Sequence, residues 1–461
     1  MRGLGDILVV GLGASGLESA RYCLALVAAG EADSVTVVDA GGSEALRMRA
    51  DELRELGAEV VLSTEAVAGE FDLAIASPGI PPHAPLFISA TEASKRLVSE
   101  IEFAFSRSSH TWIAVTGTNG KTTTTSLVVH LLHTAGIRAR AVGNIGNVAI
   151  TAVAEADSSE VIVAEVSSFQ LANIDTFRPR VAVLLNLTPD HINWHGTLEE
   201  YARAKTRVFE NLAEGDTAVI DVDDAGAAPY ADKVAASGAD VVRVSIETRH
   251  GGGATVIDRM LCLETRGGLV RLVWEDELLI RGAHNVSNAL AAAAAAHAVG
   301  VGAADLQVGL RTFAPIEHRL EPVAEVRGVG WFNDSKATNP DAVLKALTAF
   351  GERPLVVLLG GRNKNNDMRP LAEAVADRAR AAVVFGECAE EFRAAFASLE
   401  IELVSAHGLA EAVERAAEIA VAGDAVVLSP ACASFDEFTS YEHRGREFKT
   451  LVRAMGAGEA R

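Results

Sequence analysis

Short hydrophobic segments alternate with longer segments of helical periodicity along most of the 461-residue chain. This alternation is typical of parallel sheets covered by helices, so it predicts an α/β fold. Polar stretches interrupt the pattern twice and divide the chain into three predicted domains, residues 1–108, 109–315 and 316–461. Within the second domain, residues 215–281 are irregular and glycine-rich, and we expect them to form an antiparallel excursion at the edge of the sheet.

A glycine-bearing loop in the second domain lies between an apolar segment, residues 112–115, and a predicted helix, residues 123–132. A strand, loop and helix in this order can hold a polyphosphate, because backbone N–H groups and the positive helix N-terminus face the phosphate oxygens. Lys121 would neutralise phosphate charge, and Thr122 would ligate Mg²⁺. Val115 stands where the common phosphate loop has its first glycine, so a chance Gly-Lys-Thr turn is the alternative. We favour the phosphate loop, which predicts a central P-loop-type ATPase domain that uses ATP or GTP.

The first domain begins with a strand, a glycine-rich turn and a helix, and its second strand ends at Asp39. Gly11, Gly13 and Gly16 have the spacing of a dinucleotide fingerprint, in which glycines permit a tight turn, close approach to a diphosphate and close helix packing. Asp39 would meet a ribose or a base, and a further turn at residues 77–80 would lie at the same edge of the sheet. The pattern predicts a Rossmann-like domain that binds a diphosphate nucleotide.

Two other functions are compatible with these nucleotide signals. The fingerprint also occurs in NAD-dependent oxidoreductases, but a simple dehydrogenase does not need a second loop for a triphosphate. The phosphate loop alone would suit a non-catalytic nucleotide-binding switch. A cofactor absorbance change would indicate the first alternative, and nucleotide binding without turnover would indicate the second.

Two hydrophobic segments of the second domain end in polar residues that can ligate a metal. One segment ends in Glu165, and another ends in Asn186, shortly before Asp190 and His191. Both ends are predicted to lie beside the phosphate loop, where a carboxylate can hold Mg²⁺ next to the phosphates. Glu165 is the favoured ligand. Imidazole is not a preferred ligand of Mg²⁺, so a hydrogen-bonding role is the alternative for His191.

An otherwise apolar helix stripe in the second domain contains a lysine. The stripe would consist of Leu198, Tyr201, Lys205, Val208 and Leu212. A cation at such a position snorkels to water, pairs with an acid or is chemically altered. From the spacing alone, snorkelling is the expected outcome.

Charge and cysteine usage restrict the partners of the chain. Lys and Arg number 41 against 62 Asp and Glu, which gives a formal charge of −21 at pH 7. A nucleic-acid partner is therefore not expected, and anionic substrates need local basic pockets. The 4 cysteines have no metal-binding spacing, the N-terminus has no signal-peptide pattern, and residues 289–296 predict a buried alanine-rich helix. These features favour a cytoplasmic protein without a membrane anchor, and we expect a monomer.

Several segments together resemble the ATP-dependent Mur ligases. In the second domain they are Thr116-Gly-Thr-Asn-Gly-Lys-Thr122, Glu165-Val-Ser-Ser-Phe-Gln-Leu171, Asn186-Leu-Thr-Pro-Asp-His191 and Tyr201-Ala-Arg-Ala-Lys205. Further along they are Gly282-Ala-His-Asn-Val-Ser-Asn288, His318-Arg319, Asn333-Asp-Ser-Lys-Ala-Thr-Asn339 and Ser429-Pro-Ala-Cys-Ala-Ser-Phe435. These are similar to the members that add D-glutamate to UDP-N-acetylmuramoyl-L-alanine. Other muramyl ligases and folylpolyglutamate synthases usually have Asp-Tyr-x-His or Asp-x-x-His near Asp334, and a ligase of either type is the alternative.

The resemblance implies a role for each matching residue. The implied catalytic residues are Lys121, Glu165, His191 and Lys205. Thr122 and Glu165 would hold one Mg²⁺ ion. His191 and a carbamylated Lys205 would hold a second Mg²⁺ ion. The implied ATP-binding residues are Gly117, Thr118, Asn119, Gly120, Lys121, Thr122, Thr123, Asn288, Arg319 and Asp334. The implied residues for the UDP-linked substrate are Ala14, Ser15, Gly16, Asp39, Gly79, Asn144, Ser167, Gln170 and His191.

We expect the third domain to be a Rossmann-like α/β domain that binds the amino-acid substrate. The resemblance implies that this substrate is D-glutamate. Lys336 and Lys364 follow strand-like segments, residues 330–333 and 355–360, and Thr338 precedes a predicted helix. Loops at neighbouring strand ends could place these three side chains near the two carboxylates of glutamate.

Ser434 and Phe435 open a capping-box pattern after a strand predicted at residues 425–428. The pattern predicts a helix whose hydroxyl cap and N-terminal N–H groups bind an anion, and we assign both residues to the glutamate site. A capped helix without a ligand is the alternative.

The reaction implied by the resemblance has two steps and belongs to the cytoplasmic synthesis of peptidoglycan precursors. The L-alanyl carboxylate attacks the γ-phosphorus of ATP to give an acyl phosphate, and the glutamate amine then displaces phosphate. Charge neutralisation and positioning are expected to dominate this chemistry.

Overall fold

The computed structural model describes residues 3–145, 147–265, 267–364 and 366–457. Within these ranges the chain forms a sheet of 5 strands, a sheet of 9 strands and a sheet of 6 strands, in chain order. The predicted outer limits of the first and third domains, residues 1 and 461, lie outside the described residues.

The first sheet is entirely parallel, with strand order β3-β2-β1-β4-β5. Its elements are β1 (Asp6–Val10), α1 (Ala14–Ala28), β2 (Ser34–Asp39), α2 (Glu44–Glu55), β3 (Glu59–Leu62), β4 (Leu73–Ala76), α3 (Pro85–Glu92), β5 (Leu97–Ser99) and α4 (Glu100–Ser106). Ile7 to Val10 are fully buried because helices cover both faces of this sheet.

The second sheet has the order β14-β13-β12-β11-β10-β9-β6-β8-β7. Its elements are β6 (Thr111–Thr116), α5 (Lys121–Thr134), β7 (Ala139–Gly143), α6 (Ala149–Glu155), β8 (Val161–Glu165), α7 (Ser168–Leu171), β9 (Val181–Leu184), α8 (Ile192–His195), α9 (Leu198–Thr206), β10 (Thr217–Asp221), α10 (Pro229–Ala235), β11 (Asp240–Ser245), β12 (Ala254–Ile257), β13 (Met260–Thr265), β14 (Gly268–Trp274), α11 (Ala283–Ala298) and α12 (Ala303–Thr312).

The antiparallel excursion predicted for residues 215–281 is only partly correct. Strands β12, β13 and β14 do pair antiparallel at the edge of the second sheet. Strand β10 instead pairs parallel with β9 on one side and with β11 on the other. The helix α10 connects β10 to β11, and a helical crossover is what parallel neighbours require.

The third sheet has the order β15-β16-β20-β17-β18-β19, and β15 is its antiparallel edge strand. Its elements are β15 (Glu321–Val326), β16 (Val329–Asn333), α13 (Pro340–Leu347), β17 (Leu355–Gly360), α14 (Arg369–Arg378), β18 (Ala379–Phe385), α15 (Ala389–Phe396), β19 (Glu402–Ser405), α16 (Leu409–Ile419), β20 (Ala425–Ala431) and α17 (Tyr441–Ala457). The carboxyl ends of β16, β20 and β17 are neighbours at one edge.

The chain divides into two compact units. The first unit comprises residues 1–275 and 287–311 and contains the first two sheets, and the second comprises residues 276–286 and 312–461 and contains the third. The exact limits of the three predicted domains stay predictions.

Two buried carboxylates of α4 join the first sheet's region to the second within the first unit. Glu102 accepts hydrogen bonds from the backbone N–H groups of Asp175, Thr176 and Phe177 at 2.8 to 3.0 Å. Glu100 accepts one from the N–H of Ile150, near the start of α6, at 2.7 Å. Since a buried carboxylate is stable only when it is hydrogen-bonded, these contacts require both regions to be folded together.

The alanine-rich segment of residues 289–296 lies in α11 and is buried, as predicted. Among the described residues, no helix is both long enough and apolar enough to cross a bilayer.

Candidate active site

The predicted phosphate loop connects β6 to α5, the geometry that its sequence indicates. Gly120 precedes the helix at φ 85°, a left-handed conformation that favours glycine. The loop is held from the end of β9, because the N–H of Thr118 donates to the carbonyl of Asn186 at 3.0 Å and the N–H of Asn119 donates to Asn186 Oδ1 at 2.7 Å. Lys121 Nζ lies 2.8 Å from the carbonyl of Thr118, so its charge is held at the loop.

Glu165 lies beside this loop because β8 and β6 are adjacent parallel strands, with Glu165 opposite Val115. The Oγ1 of Thr122 donates to Glu165 Oε2 at 2.7 Å, and Asn144 Nδ2 donates to Glu165 Oε1 at 2.8 Å. The carboxylate is buried. A hydroxyl and a carboxylate this close form an oxygen donor set that fits Mg²⁺.

Lys205 does not snorkel to water, so the outcome expected from its spacing is wrong. Its side chain is 2% exposed, and its Nζ donates to the carbonyl of Gly117 in the phosphate loop at 2.8 Å. Tyr201, Val208 and Leu212 of the stripe are buried, whereas Leu198 is exposed, contrary to prediction.

Burial lowers the pKa of Lys205 well below its ordinary value of 10.5, and the charge of Lys121 lowers it further. The carboxylates of Asp190 and Glu165 act in the opposite direction without restoring it. A lysine in this environment favours the neutral amine, which is the form that reacts with CO₂.

His191 lies at φ 53°, and its Nε2 is 3.6 Å from Asp190 Oδ2. A second histidine, which the sequence interpretation missed, lies one helical turn further on. His195 Nε2 is 2.8 Å from Ser168 Oγ, and its ring stacks on Phe169 with 5.6 Å between the centroids. Burial, with smaller contributions from His191 and Lys205, lowers the pKa of His195 to about 4. The i, i+4 spacing of the two histidines in a short helix is the signal that could have found it.

Asn288 is buried beside the phosphate loop. A Cβ added at Gly120 would lie 2.4 Å from Asn288 Oδ1, so only glycine leaves room for this side chain. Ser287 precedes Asn288 and donates to Asp221 Oδ2 at 2.5 Å. Burial raises the pKa of Asp221 to about 6. Asp221, at the end of β10, is a further residue that the sequence interpretation missed.

A cleft of about 430 Å³ lies over the glycine-rich turn of the first sheet. Its lining includes the predicted residues Gly13, Ala14, Ser15, Asp39 and Gly79, and also Glu65, which was not predicted. A cleft at the carboxyl ends of parallel strands is where nucleotides bind in open α/β sheets.

Gly16 and Asp39 shape this turn from within. A Cβ at Gly16 would lie 1.8 Å from the carbonyl oxygen of Gly11, so Gly16 serves close helix packing, as the fingerprint predicts. The carboxylate of Asp39 accepts the N–H groups of Leu12 and Gly41, each at 2.6 Å. A contact of Asp39 with the substrate stays a prediction.

Ser167 and Gln170 form a capping box at the start of α7. Ser167 Oγ accepts the N–H of Gln170 at 3.3 Å, and Gln170 Oε1 accepts the N–H of Ser167 at 3.0 Å. Their assignment to the substrate stays a prediction.

In the second unit, the side chains of Thr338 and Lys364 come together. They follow β16 and β17, and Lys364 Nζ lies 3.4 Å from Thr338 Oγ1. Lys336 Nζ donates to the hydroxyl of Tyr441 at 2.5 Å and lies 4.3 Å from the centre of its ring. Tyr441 was not predicted, because it is far from both lysines in the sequence.

The helix predicted to begin at Ser434 is absent, since residues 434–437 form a turn and α17 begins at Tyr441. Helix N–H groups at Ser434 are therefore not available for an anion. The carboxylate of Glu437 instead accepts the N–H of Leu409 at 3.1 Å, at the start of α16. Ser434 is buried and Phe435 is exposed. Their assignment to glutamate stays a prediction.

Asp334 and Arg319 also lie in the second unit. Asp334 accepts hydrogen bonds from Ser429 Oγ at 2.7 Å and from the N–H of Leu320 at 3.3 Å. Burial raises the pKa of Asp334 to about 7, although Ser429 and Arg319 act to lower it. Their roles in binding the nucleotide stay predictions.

Comparison with known proteins identifies the family. Residues 115–296 match the Mur ligase middle domain, and residues 318–432 match the Mur ligase glutamate ligase domain. The chain is 41% identical over 455 residues to the UDP-N-acetylmuramoylalanine--D-glutamate ligase of Pelotomaculum thermopropionicum, covering 98% of each chain. It is 42% identical to the enzyme of that name from Frankia casuarinae, covering 97% of this chain and 94% of the other. The chain belongs to the Mur ligase family.

Solved structures of Mur ligases share the fold. MurC from Thermotoga maritima has a TM-score of 0.58 at 21% identity and covers 97% of this chain and 99% of its own. MurF from Acinetobacter baumannii has a TM-score of 0.62 at 17% identity, with 92% and 90% covered. These structures confirm the predicted three-domain α/β fold, and the family models and named relatives confirm the predictions of the Mur ligase family and of ATP as a cofactor.

Proposed function

We propose that this Mur ligase uses ATP to join D-glutamate to UDP-N-acetylmuramoyl-L-alanine, a step in the synthesis of peptidoglycan precursors. The observation that carries the proposal is the match over nearly the whole chain to enzymes of that name. The contact of Lys364 with Thr338, in a loop that also carries Lys336, supports it, because glutamate brings two carboxylates that need cationic and hydroxyl partners. The handedness of the glutamate follows from the names of the relatives.

The triphosphate of ATP would lie in the phosphate loop, where the backbone N–H groups and Lys121 face it. Thr122 and Glu165 would hold one Mg²⁺ ion, because their oxygens are already 2.7 Å apart. Bound there, Mg²⁺ would neutralise the charge that develops on the phosphates. Lys121 supplies a fixed positive charge on the same side, which lowers the cost of phosphoryl transfer to the substrate carboxylate.

A carbamate on Lys205 would complete a second Mg²⁺ site together with His191. The support is the burial of Lys205 under the phosphate loop and the lowered pKa of its amine. Attack of the neutral Nζ on CO₂ forms an N–C bond and releases a proton, so that an anionic oxygen ligand replaces an amine. Burial keeps His195 neutral. Through its hydrogen bond with Ser168, His195 would hold the start of α7 in place.

The UDP group of the muramyl substrate would occupy the cleft over Gly13, Ala14 and Ser15. The described residues that line this cleft include no lysine or arginine. The diphosphate would therefore be bound by backbone N–H groups and by the N-terminus of α1. All four cysteines are free thiols, which suits the predicted reducing, cytoplasmic setting. That location and the monomeric state stay predictions.

The test is phosphate release measured with ATP, Mg²⁺, UDP-N-acetylmuramoyl-L-alanine and D-glutamate, together and with each omitted in turn. Full activity only with all four, and none with L-glutamate, is the expected result. Equal phosphate release without the muramyl nucleotide would reject the proposal. Reduction of NAD by any of these substrates would instead favour an oxidoreductase.

A further inference from the structure

A buried arginine on α17 connects three loops of the third sheet. Arg444 is 1% exposed and makes four hydrogen bonds to the protein. Its Nε donates to Ser335 Oγ at 2.9 Å; its terminal nitrogens donate to the carbonyls of Ser335 at 2.9 Å, Cys432 at 3.1 Å and Gly360 at 3.3 Å.

These acceptors lie at the carboxyl ends of three neighbouring parallel strands. Ser335 follows β16, Gly360 ends β17, and Cys432 follows β20. The same three loops go on to carry Lys336, Lys364 and Ser434, which are the residues assigned to the amino-acid substrate. One guanidinium therefore reaches every loop of that group.

Arg444 is a buried cation that none of its hydrogen-bond acceptors neutralises. The four acceptors are neutral oxygens, and burial lowers the pKa of Arg444 to about 10 from an ordinary value of 12.5. Placing a cation in the interior without a bonded carboxylate costs free energy, which a purely structural contact could avoid with an apolar side chain. The planar fork of arginine, however, fixes several acceptors at set angles, which no apolar side chain can do.

The first turn of α17 is fitted to the same loops. Ser335 Oγ, besides accepting from Arg444, donates to the carbonyl of Tyr441 at 2.8 Å. Tyr441 contacts Lys336, and a Cβ added at Gly445 would lie 2.2 Å from His318 Nδ1. The helix start thus cannot shift without moving the loop that carries Lys336.

We propose that Arg444 is a positioning residue for the amino-acid substrate, because it fixes the spacing between the loops of Lys336, Lys364 and Ser434. The inference deepens the proposed function and relies on it for the identity of the substrate as a dicarboxylate. Arg444 acts through these loops and does not itself contact the substrate.

The test compares steady-state kinetics of the wild type with those of Arg444→Lys, varying each substrate separately. Lysine keeps the charge but has one nitrogen in place of three, so it cannot hold all three loops. We expect the KM for D-glutamate to rise at least tenfold, while the KM values for ATP and the muramyl nucleotide change less than twofold. An unchanged KM for glutamate, or an equal rise in all three, would overturn the proposal.

Arg353→Lys is the matched control. Arg353 donates to the carbonyls of Gly423 at 3.0 Å and Asp424 at 2.8 Å, which precede β20 at the opposite end of the same sheet. Its replacement should lower the melting temperature without raising the KM for glutamate. If it raises that KM as much as Arg444→Lys does, general loosening of the sheet explains both and the proposal fails.

A second variant keeps the proposal testable if Arg444→Lys does not fold. Ser335→Ala removes the hydroxyl between Arg444 and Tyr441 but leaves the three carbonyl acceptors of Arg444, and it should raise the KM for glutamate selectively by a smaller factor. No change would contradict the proposal. A wild type that releases no phosphate on addition of D-glutamate would refute the proposed function, a result distinct from any behaviour of these variants.

Discussion

The hydroxyl of Thr122 donates a hydrogen bond to the carboxylate of Glu165 at 2.7 Å, which joins the first turn of α5 to the end of β8. Asn144 holds the other carboxylate oxygen from the loop after β7. The donor set proposed for the first Mg²⁺ ion is therefore held by α5, by the end of β8 and by the loop after β7, and β6, β8 and β7 are neighbouring parallel strands of the second sheet. A preassembled site lowers the reorganisation needed when the metal and ATP bind.

Lys121→Ala should abolish turnover without unfolding the protein. Lys121 contacts loop carbonyls, and in the proposed reaction its charge assists phosphoryl transfer, so we expect a loss on the order of 10²- to 10³-fold or more in kcat. Phosphate release and thermal melting would be measured together. Lys233→Ala, which removes a lysine on α10 that lies over the ring of Tyr230, is the control and should be active. Near-normal activity of Lys121→Ala would reject the assigned role.

Lys205→Ala should be nearly inactive but should recover activity in part when formate or acetate is added. A small carboxylate can occupy the vacated space and supply the oxygen ligand that the carbamate would provide. Lys205→Arg should remain inactive with or without these anions. Phosphate release across a formate series measures the effect, with chloride at equal ionic strength as the control. An active Lys205→Arg enzyme would remove the carbamate from the reaction.

Lys336→Ala and Lys364→Ala should each raise the KM for D-glutamate by roughly tenfold or more, since each would remove a proposed charge-assisted contact to a carboxylate. The KM for the muramyl nucleotide should stay within about twofold, because that substrate is assigned to the first sheet. Lys345→Ala serves as the matched control, as Lys345 pairs with Asp341 on α13. A selective rise in the KM for the muramyl nucleotide would mean that the glutamate site is assigned to the wrong domain.

Glu100→Gln should make the stability of the first unit less dependent on pH. Burial raises the pKa of Glu100 to about 7 from an ordinary value of 4.5, against the opposing effect of the N–H groups of Ile150 and Ala149. Between these values the folded state keeps a proton that the unfolded state releases. The free energy of unfolding of the wild type therefore falls as pH rises through this window.

Urea unfolding of wild type and Glu100→Gln at intervals from pH 5 to 8 would measure this difference. The free energy of unfolding of the variant minus that of the wild type should increase by an amount on the order of 3 kcal/mol from the lower to the upper end of this pH window. Other buried groups are common to both proteins and cancel in the comparison. A difference that does not vary with pH would show that Glu100 is ionised throughout.

Much of the fold was predictable because its signals are local. Strand β17 has the bounds predicted from its apolar segment, residues 355–360, since it is buried on both faces between helices. The phosphate loop was predictable for the same reason, as glycines and Lys121 lie next to each other in the chain. The roles of Gly11 and Gly16 also follow from spacing alone, and their close contact confirms them.

The residues that sequence reasoning misplaced depend on distant partners. The acceptor of Lys205 is Gly117, 88 residues away, so helix spacing could not show that the amine would be enclosed. At Ser434 the capping-box pattern fails because Glu437 caps α16, 28 residues earlier in the chain, and does not bond back to its own turn. Tyr441 and Arg444 are likewise brought to the third sheet's loops by tertiary packing, which local propensity does not encode.

The contacts of Glu102 bear on how this enzyme can be cut or recombined. A fragment that ends at residue 108 would lose the N–H groups of Asp175, Thr176 and Phe177 and would carry an acid at a surface that had been interior. Such a fragment should be poorly stable, however regular its own sheet is. Exchange of UDP-binding segments between related ligases should succeed only when the segment around residues 173–177 is exchanged with them.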